Sequence, residues 1–161
     1  MVDARKDKVE TKETKADSKG EVPDIVIDAS GLVLGRLASY VAKEALNGRK
    51  VVILNSEKVF VTGSKDSILE EFLHKVHVGS SRKGPYYSRM PDKIVKRTIR
   101  GMVKFTKYKG REAYKRVMAY IGVPKTFENV KLHELPKAKA RPGAKGMTVG
   151  EIAKHLGAHY E

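Results

Sequence analysis

The pattern of hydrophobic and polar positions becomes regular only after residue 24. Short runs of β-branched and aliphatic residues predict buried strands at residues 25–27, 51–54 and 59–62. Apolar side chains at helical spacing predict two amphipathic helices, over residues 34–47 and from Ser64 to about residue 77. This succession of strands and helices predicts an α/β fold with a largely parallel sheet and helices on its faces.

The second half of the chain begins with a basic loop and continues with three more predicted helices. The predicted segments are a loop at residues 79–89, helices at 92–106 and 111–119, extended chain at 120–124, an irregular stretch at 130–146 and a last helix from residue 148. Asp92 follows a proline and is the predicted cap of the first of these helices. Thr148 and Glu151 have the spacing of a capping box, which predicts the start of the last helix.

The helix predicted over residues 92–106 has two opposed faces. Its apolar face consists of Ile94, Val95, Thr98, Ile99, Met102 and Val103. Its charged face consists of Lys93, Arg97, Arg100, Lys104 and Lys107, at steps of three or four residues. One face is therefore expected to pack on the core, while the other presents a row of cations. Because these cations repel one another, an external anion is the natural explanation for the row.

Composition and charge narrow the possible functions. The 161 residues include 33 Lys and Arg, 19 Asp and Glu and no Cys, with a formal charge of +14. Fourteen of the cations and only two acids lie between His74 and Arg116. Such clustering is typical of proteins that bind a polyanion, although a basic run is also found on merely solvated faces. The lack of cysteine excludes a disulfide framework, and no apolar stretch approaches the length of a membrane span.

Residues 1–24 are predicted to be a charged extension, disordered when free. They contain six basic and seven acidic side chains and no aromatic residue. Such a segment cannot bury enough apolar surface to offset the entropy lost on ordering. Its first residues also lack the apolar core of a secretory signal. Residues 25–161 are then expected to form a single domain.

Enzyme motifs and metal-site motifs are incomplete in this chain. Gly31 and Gly35 lie between a strand and a helix, yet neither the dinucleotide fingerprint nor the P-loop is present. Gly31 is instead predicted to permit a tight turn, and Gly35 a close approach of helix and strand. His74 and His77 share a helix end but lack a third ligand nearby, and no serine-nucleophile motif occurs. We therefore expect no catalytic residue, metal, cofactor or small-molecule substrate.

The aromatic residues in the basic stretch favour RNA among the polyanions. They are Tyr86, Tyr87, Phe105, Tyr108 and Tyr114. Exposed aromatics beside arginine can stack on unpaired bases, which is typical of RNA recognition. Tyr86 and Tyr87 lie in a Gly-Pro loop and are predicted to stack, whereas Tyr114 has the spacing of a core residue. Two alternatives stay open: an α/β enzyme acting on a phosphorylated or nucleotide substrate, and an architectural DNA-binding protein.

Several motifs of the chain resemble, in the same order, those of a universal ribosomal family. They are LGRLAS at residues 34–39, VVILNSEK at 51–58, TG at 62–63, RKGPY at 82–86, RTIRGM at 97–102, YIGVP at 120–124 and VGEIAKHLG at 149–157. Over residues 25–161 the chain thus resembles the large-subunit ribosomal protein L13 (uL13) family, in its archaeal and eukaryotic branch. Where that family commonly has Leu-Pro after RGM, this chain has Val103 and Lys104.

The resemblance implies a three-layer α/β/α domain with a small, largely parallel central sheet, basic loops and a charged N-terminal extension. It also implies a structural constituent of the large ribosomal subunit, located in the cytoplasm, that binds 23S-type rRNA and supports subunit assembly. The expected partners are large-subunit rRNA and neighbouring large-subunit ribosomal proteins, without a membrane or a homo-oligomer.

Two cationic surfaces are predicted to contact the rRNA. The first combines the loop at residues 79–89 with the two helices that follow it, and the second is an extended arm at residues 137–145 that threads between RNA helices. Arg36, in the family's Gly-Arg motif, is predicted either to contact phosphate or to fix the turn. The predicted RNA-binding residues are Arg36, Arg82, Lys83, Tyr86, Tyr87, Arg89, Arg97, Arg100, Lys104, Lys107, Arg111, Lys115, Arg116, Lys137, Lys139, Arg141 and Lys145.

Overall fold

The computed structural model describes residues 23–80 and 82–160. Within them the strands are β1 (Ile25–Asp28), β2 (Val51–Leu54), β3 (Phe60–Thr62), β4 (Val117–Ala119) and β5 (Gly146–Thr148). The α-helices are α1 (Leu34–Leu46), α2 (Lys65–His77), α3 (Pro91–Met102), α4 (Tyr108–Lys115) and α5 (Val149–His155), and short 3₁₀ helices occur at Ser56–Lys58, Lys125–Phe127 and Pro136–Ala138. The extension predicted at residues 1–24 lies outside the described residues except for its last two positions.

The central sheet is parallel, with the strand order β1-β2-β4. Val51 in β2 lies between Ile25 of β1 and Val117 of β4. The strands predicted at residues 25–27 and 51–54 are confirmed, but the helix predicted through residue 119 is wrong. This helix, α4, begins and ends earlier, and the chain completes the sheet instead. The buried, β-branched Val117 gains strand pairing there, which outweighs the helical spacing of its neighbours.

The strand predicted at residues 59–62 lies outside the central sheet. It forms β3, which pairs antiparallel with β5 in a separate two-stranded sheet. β5 comes from residues expected to be irregular or to begin the last helix, because three residues are too few to show a strand pattern. This second pairing fixes the end of the basic loop at residues 137–145 next to the domain.

The two faces of the central sheet are covered differently. Ile27 and Ile53 point to the larger core, in which buried residues of α1, α3 and α5 also take part. Val26 and Val52 point to a smaller cluster around Phe127, which belongs to a 3₁₀ helix. The predicted α/β class and the small parallel sheet are confirmed. Among the described residues, however, the layer on the second face is an irregular segment with one 3₁₀ turn rather than an α-helix.

Capping residues and a proline mark where three of the helices begin. The helix predicted from Ser64 is α2, and Ser64 caps it by accepting a hydrogen bond from the Ser67 N–H. The capping box of Thr148 and Glu151 is likewise present in α5. The prediction that Asp92 caps α3 is wrong. The helix begins at Pro91, whose missing N–H costs nothing at the first position, and Asp92 lies in the first turn.

The predictions for the two glycines near the start of α1 have different outcomes. Gly31 has φ +68°, a conformation that side chains disfavour, so its predicted role in a tight turn is confirmed. The prediction for Gly35 is wrong, since a Cβ there would meet no atom within 4 Å.

Candidate nucleic-acid interface

The helix α3 separates the core from a cationic surface. Ile94, Val95 and Ile99 are buried against the sheet and α1, as the spacing predicts. The predicted row of cations, Lys93, Arg97, Arg100, Lys104 and Lys107, is exposed along its whole length. Met102 was expected on the inner face but is 40% exposed, because the helix ends there. The helix does not reach residue 106, and Lys104 adopts a left-handed conformation with φ +48°.

The loop before α3 is fixed to the helix by Arg97. The Arg97 guanidinium donates a hydrogen bond from Nη1 to the carbonyl oxygen of Tyr86, 3.2 Å away. Its carbon atom Cζ lies 4.6 Å from the centre of the Tyr87 ring, which packs edge-on against Phe72 of α2 at 6.1 Å. The Tyr87 ring is half-buried, so the prediction of an exposed Tyr87 ring is wrong, and burial raises the pKa of its hydroxyl. Tyr86, in contrast, is 69% exposed.

A second group of aromatic rings supports the cations at the other end of α3. The Arg100 guanidinium carbon lies 4.2 Å from the centre of the Phe105 ring, which in turn packs edge-on against Tyr114 of α4 at 5.4 Å. The ammonium of Lys96 lies 5.2 Å from the centre of the Tyr114 ring. Each cation next to a ring face gains an attraction on the order of 0.5–1 kcal/mol at an exposed position. These rings therefore hold the cations in place before any ligand arrives.

Lys96 is part of this surface and was absent from the predicted set. It is half-buried, and burial lowers the pKa of its ammonium, an effect partly opposed by the Asp92 carboxylate. The spacing signal was available, because Lys96 follows Lys93 by three residues and precedes Arg100 by four. It lies between the apolar and charged faces of the helix, where spacing alone does not settle burial.

The remaining predicted residues of the first surface lie in the loop and on α4. Arg82, Lys83, Arg89, Arg111 and Lys115 are exposed, and Arg116 is half-buried. Lys115 donates a hydrogen bond to Glu112 at 2.9 Å, which raises the pKa of Lys115 and lowers that of Glu112. An exposed ion pair of this kind contributes little to stability, so Lys115 can exchange its partner for another anion.

The basic loop at residues 137–145 follows the surface of the domain, so the prediction of an extended arm is wrong for this segment. Its first part forms a bridge between Lys139 and Leu32, and the Ala140 N–H donates to the carbonyl oxygen of Gly31. Its far end is held by a hydrogen bond from the Gly63 N–H to the carbonyl oxygen of Lys145. The four predicted cations of the loop, Lys137, Lys139, Arg141 and Lys145, are exposed.

Arg36 is the side chain that joins this loop to α1. Its Nη1 lies 3.4 Å from the carbonyl oxygens of both Lys137 and Lys139. Of the two predicted roles for Arg36, the structure therefore shows contacts that fix backbone, at a loop about one hundred residues away in sequence. Arg36 is nevertheless an exposed residue.

Features that would indicate another kind of site have structural roles. Glu57 accepts a hydrogen bond from the Gly122 N–H, at 3.1 Å between Oε2 and the nitrogen. This bond joins the 3₁₀ helix that follows β2 to the segment that follows β4. Within residues 23–80 and 82–160, no three His, Asp or Glu side chains are placed to share a metal ion. None of the described helices combines the length and apolar character needed to span a bilayer.

Comparison with known proteins identifies the family. The family model for ribosomal protein L13 matches residues 24–126, which include the parallel sheet and the whole of α3 and α4. The chain belongs to the ribosomal protein L13 family. The resemblance seen in the motifs is thereby confirmed, and membership of a ribosomal protein family assigns a structural role rather than an enzymatic one.

Archaeal relatives extend the match over most of this chain. The protein named large ribosomal subunit protein uL13 of Methanopyrus kandleri is 44% identical over 136 residues, covering 82% of this chain and 86% of the relative. Its namesake in Picrophilus torridus is 45% identical over 137 residues, covering 85% and 99%. That of Methanocaldococcus jannaschii is 47% identical over 141 residues, covering 84% and 98%.

Proposed function

We propose that this L13-family protein is a constituent of the large ribosomal subunit in the cytoplasm and binds large-subunit rRNA. The observation that carries the proposal is the exposed row of cations on α3 and in the turn after it, of which Arg97 and Arg100 rest on aromatic rings. Such a row can bind the phosphate backbone of a folded RNA, and the chain belongs to a ribosomal protein family. Supporting subunit assembly follows from holding that RNA fold together.

The aromatic supports explain how the row binds a polyanion efficiently. A long cationic side chain loses about 1.5–2 kcal/mol of rotamer entropy when it is fixed. Arg97 and Arg100 have already lost part of this freedom, since each covers a ring. Phosphate contacts then set the affinity, and the shape of the RNA rather than its base sequence sets the position.

The second surface extends the same mode of binding. The loop at residues 137–145 presents its cations from a backbone that is tied to Gly31, Leu32 and Gly63, so its position is set before binding. Residues 25–161 act as one rRNA-binding domain in this proposal, with residues 1–24 as an extension to it. Neighbouring large-subunit ribosomal proteins are the other partners in this proposal.

The salt dependence of binding to a large-subunit rRNA transcript tests the proposal. If about ten phosphates are neutralised, the slope of log affinity against log salt concentration is roughly −7 to −9. Arg97→Ala is expected to make the slope shallower by about one, whereas Lys125→Ala, on the opposite face of the sheet, leaves it unchanged. A nearly flat salt dependence, or a chain that sediments apart from large subunits, contradicts the proposal.

Competition separates the proposal from the two alternatives raised by the sequence. An architectural DNA-binding protein would exchange folded rRNA for duplex DNA at similar concentrations. An enzyme would show saturable binding of a small nucleotide and turnover without RNA. We expect neither result, because the cations form an exposed surface and the chain belongs to a ribosomal protein family.

A further inference from the structure

Tyr108 is the most exposed large hydrophobic side chain of the described residues, at 74%. The other aromatic rings near α3 are occupied: Tyr87 contacts Phe72 and Arg97, and Phe105 contacts Tyr114 and Arg100. The Tyr108 side chain makes no hydrogen bond, ring stack or cation–ring contact with any of the described residues. The ring thus contributes little to packing and is largely open to solvent.

The backbone before and after Tyr108 is held in place on the domain. Val103 is buried, and the left-handed Lys104 turns the chain back so that its carbonyl oxygen accepts a hydrogen bond from the Lys107 N–H. Gly110 is buried directly against this turn, where an added Cβ would collide with the carbonyl oxygens of Val103 and Lys104. A left-handed non-glycine residue costs on the order of 1 kcal/mol, which the surrounding packing must offset. The turn therefore presents Tyr108 from a fixed position.

Cationic residues flank Tyr108 in the chain, both before it and after it on α4. Tyr108, Arg111 and Lys115 lie three and four residues apart and share one exposed face of α4. Lys104 and Lys107, at the end of the cation row, precede the ring and are exposed as well. A phosphate backbone bound by these cations would bring its bases within reach of the open phenol ring.

We propose that Tyr108 is a base-stacking site that takes one unpaired base of the bound RNA. A phosphate is bound by cations alone, whereas an aromatic face without an intramolecular partner suits the π-face of a base. Paired bases in an A-form helix do not offer that face, so the ligand is a base in a loop, bulge or strand end. The proposal rests on the rRNA binding proposed above and adds the kind of nucleotide that this end of the surface recognises.

Substitutions at Tyr108 test the site in the full chain with a large-subunit rRNA transcript. Tyr108→Ala is expected to weaken binding by roughly 5- to 150-fold, the range for one lost base stack. Tyr108→Phe is expected to bind normally, and Tyr108→Leu to resemble Ala, because the ring face and not the hydroxyl or the bulk is used. The slope with salt is expected to stay the same in all three, since no phosphate contact is lost.

A matched control and a second readout complete the experiment. Leu132→Ala removes another exposed apolar side chain, next to His133, whose N–H bonds to the edge strand β1, and is expected to bind normally. Irradiation of the complex with ultraviolet light is expected to crosslink residue 108 of the unsubstituted chain to a base that chemical probing finds unpaired. Normal binding by Tyr108→Ala, equal losses with Phe, or a crosslink to a paired base overturns the stacking site alone. Failure of the unsubstituted chain to bind the transcript overturns the rRNA proposal as well.

Discussion

Arg97 covers the ring of Tyr87, with the guanidinium carbon 4.6 Å from the ring centre. The same guanidinium donates to the carbonyl oxygen of Tyr86, so that one side chain joins the basic loop to α3. Because the ring itself rests on Phe72, the position of Arg97 is set by a chain of contacts that reaches α2. The two halves of the first cationic surface are thereby coupled.

This coupling predicts that a half-buried tyrosine matters for RNA binding without contacting RNA. Tyr87→Ala is expected to weaken binding to an rRNA transcript several-fold, because Arg97 loses an attraction of about 0.5–1 kcal/mol and its fixed position. Tyr87→Phe keeps the ring and is expected to bind normally. A loss with Phe equal to that with Ala, measured by filter binding, would show that the hydroxyl and not the ring is used.

Adjacent residues of α3 separate binding from stability. Arg100→Ala is expected to weaken RNA binding about tenfold or more through a lost charged hydrogen bond, with a loss of unfolding free energy no larger than about 1 kcal/mol. Ile99→Ala, at a buried position, is expected to destabilise the fold by about 2–5 kcal/mol. Urea denaturation and RNA titration of both variants check this. Equal losses of stability would contradict the assignment of the two faces.

Gly101 in α3 and Gly110 in α4 offer a matched pair of substitutions to test the packing of the turn between these helices. Gly110→Ala is expected to destabilise the fold by about 1–3 kcal/mol, since its Cβ would push α4 away from the carbonyl groups of Val103 and Lys104. Gly101→Ala, in the last turn of α3 with no atom within 4 Å of the added Cβ, is expected to be neutral or to stabilise by up to about 1 kcal/mol. Thermal unfolding of both variants measures these changes in stability. If Gly110→Ala unfolds at the same temperature as the unsubstituted chain, the turn can shift to accommodate the added Cβ.

The parts of the fold that the sequence predicts are those with a long local pattern. The apolar and charged faces of α3 extend over three turns, and both appear in the structure. The three residues of β4 follow a helix directly, and their apolar spacing fits the continuation of that helix. What makes them a strand is Val51, which lies 66 positions earlier in the chain. No local pattern contains that information.

The same distinction applies to the candidate site. The exposure of Arg97 and Arg100 follows from helical spacing and is confirmed, whereas Lys104 is exposed in the turn after the helix. The covered ring of Tyr87 depends on Phe72 in another helix, which a Gly-Pro loop sequence does not show. The contact of Arg36 with the loop at residues 137–145 joins segments that lie far apart in sequence, so only the folded chain reveals it.

Arg36 therefore supports a prediction about the second basic loop. Arg36→Ala is expected to speed amide hydrogen exchange at Ala140 and tryptic cleavage after Lys137 and Lys139, because two hydrogen bonds to the loop backbone are lost. Arg36→Lys keeps the charge but not the forked donor group, so it is expected to restore little of this protection. If the lysine variant restores RNA binding while the loop stays unprotected, Arg36 acts through phosphate contact instead.

Acid sensitivity of the fold is expected to depend on Asp28 at the end of β1. Burial alone would raise the pKa of this carboxyl, but hydrogen bonds from Asn55 and Ser30, at 2.8 Å to their side chains, outweigh it and hold the pKa below its ordinary value. The ionised carboxylate thus stabilises the fold above about pH 4, and this contribution is lost as the pH falls through the lowered pKa. Asp28→Asn is expected to lose less stability than the unsubstituted chain between pH 5 and pH 3, measured by urea midpoints. Asn55→Gly, which keeps the left-handed backbone but removes the donor, is expected to reduce the acid dependence in the same direction, and an undiminished dependence in both variants would assign it to other carboxylates.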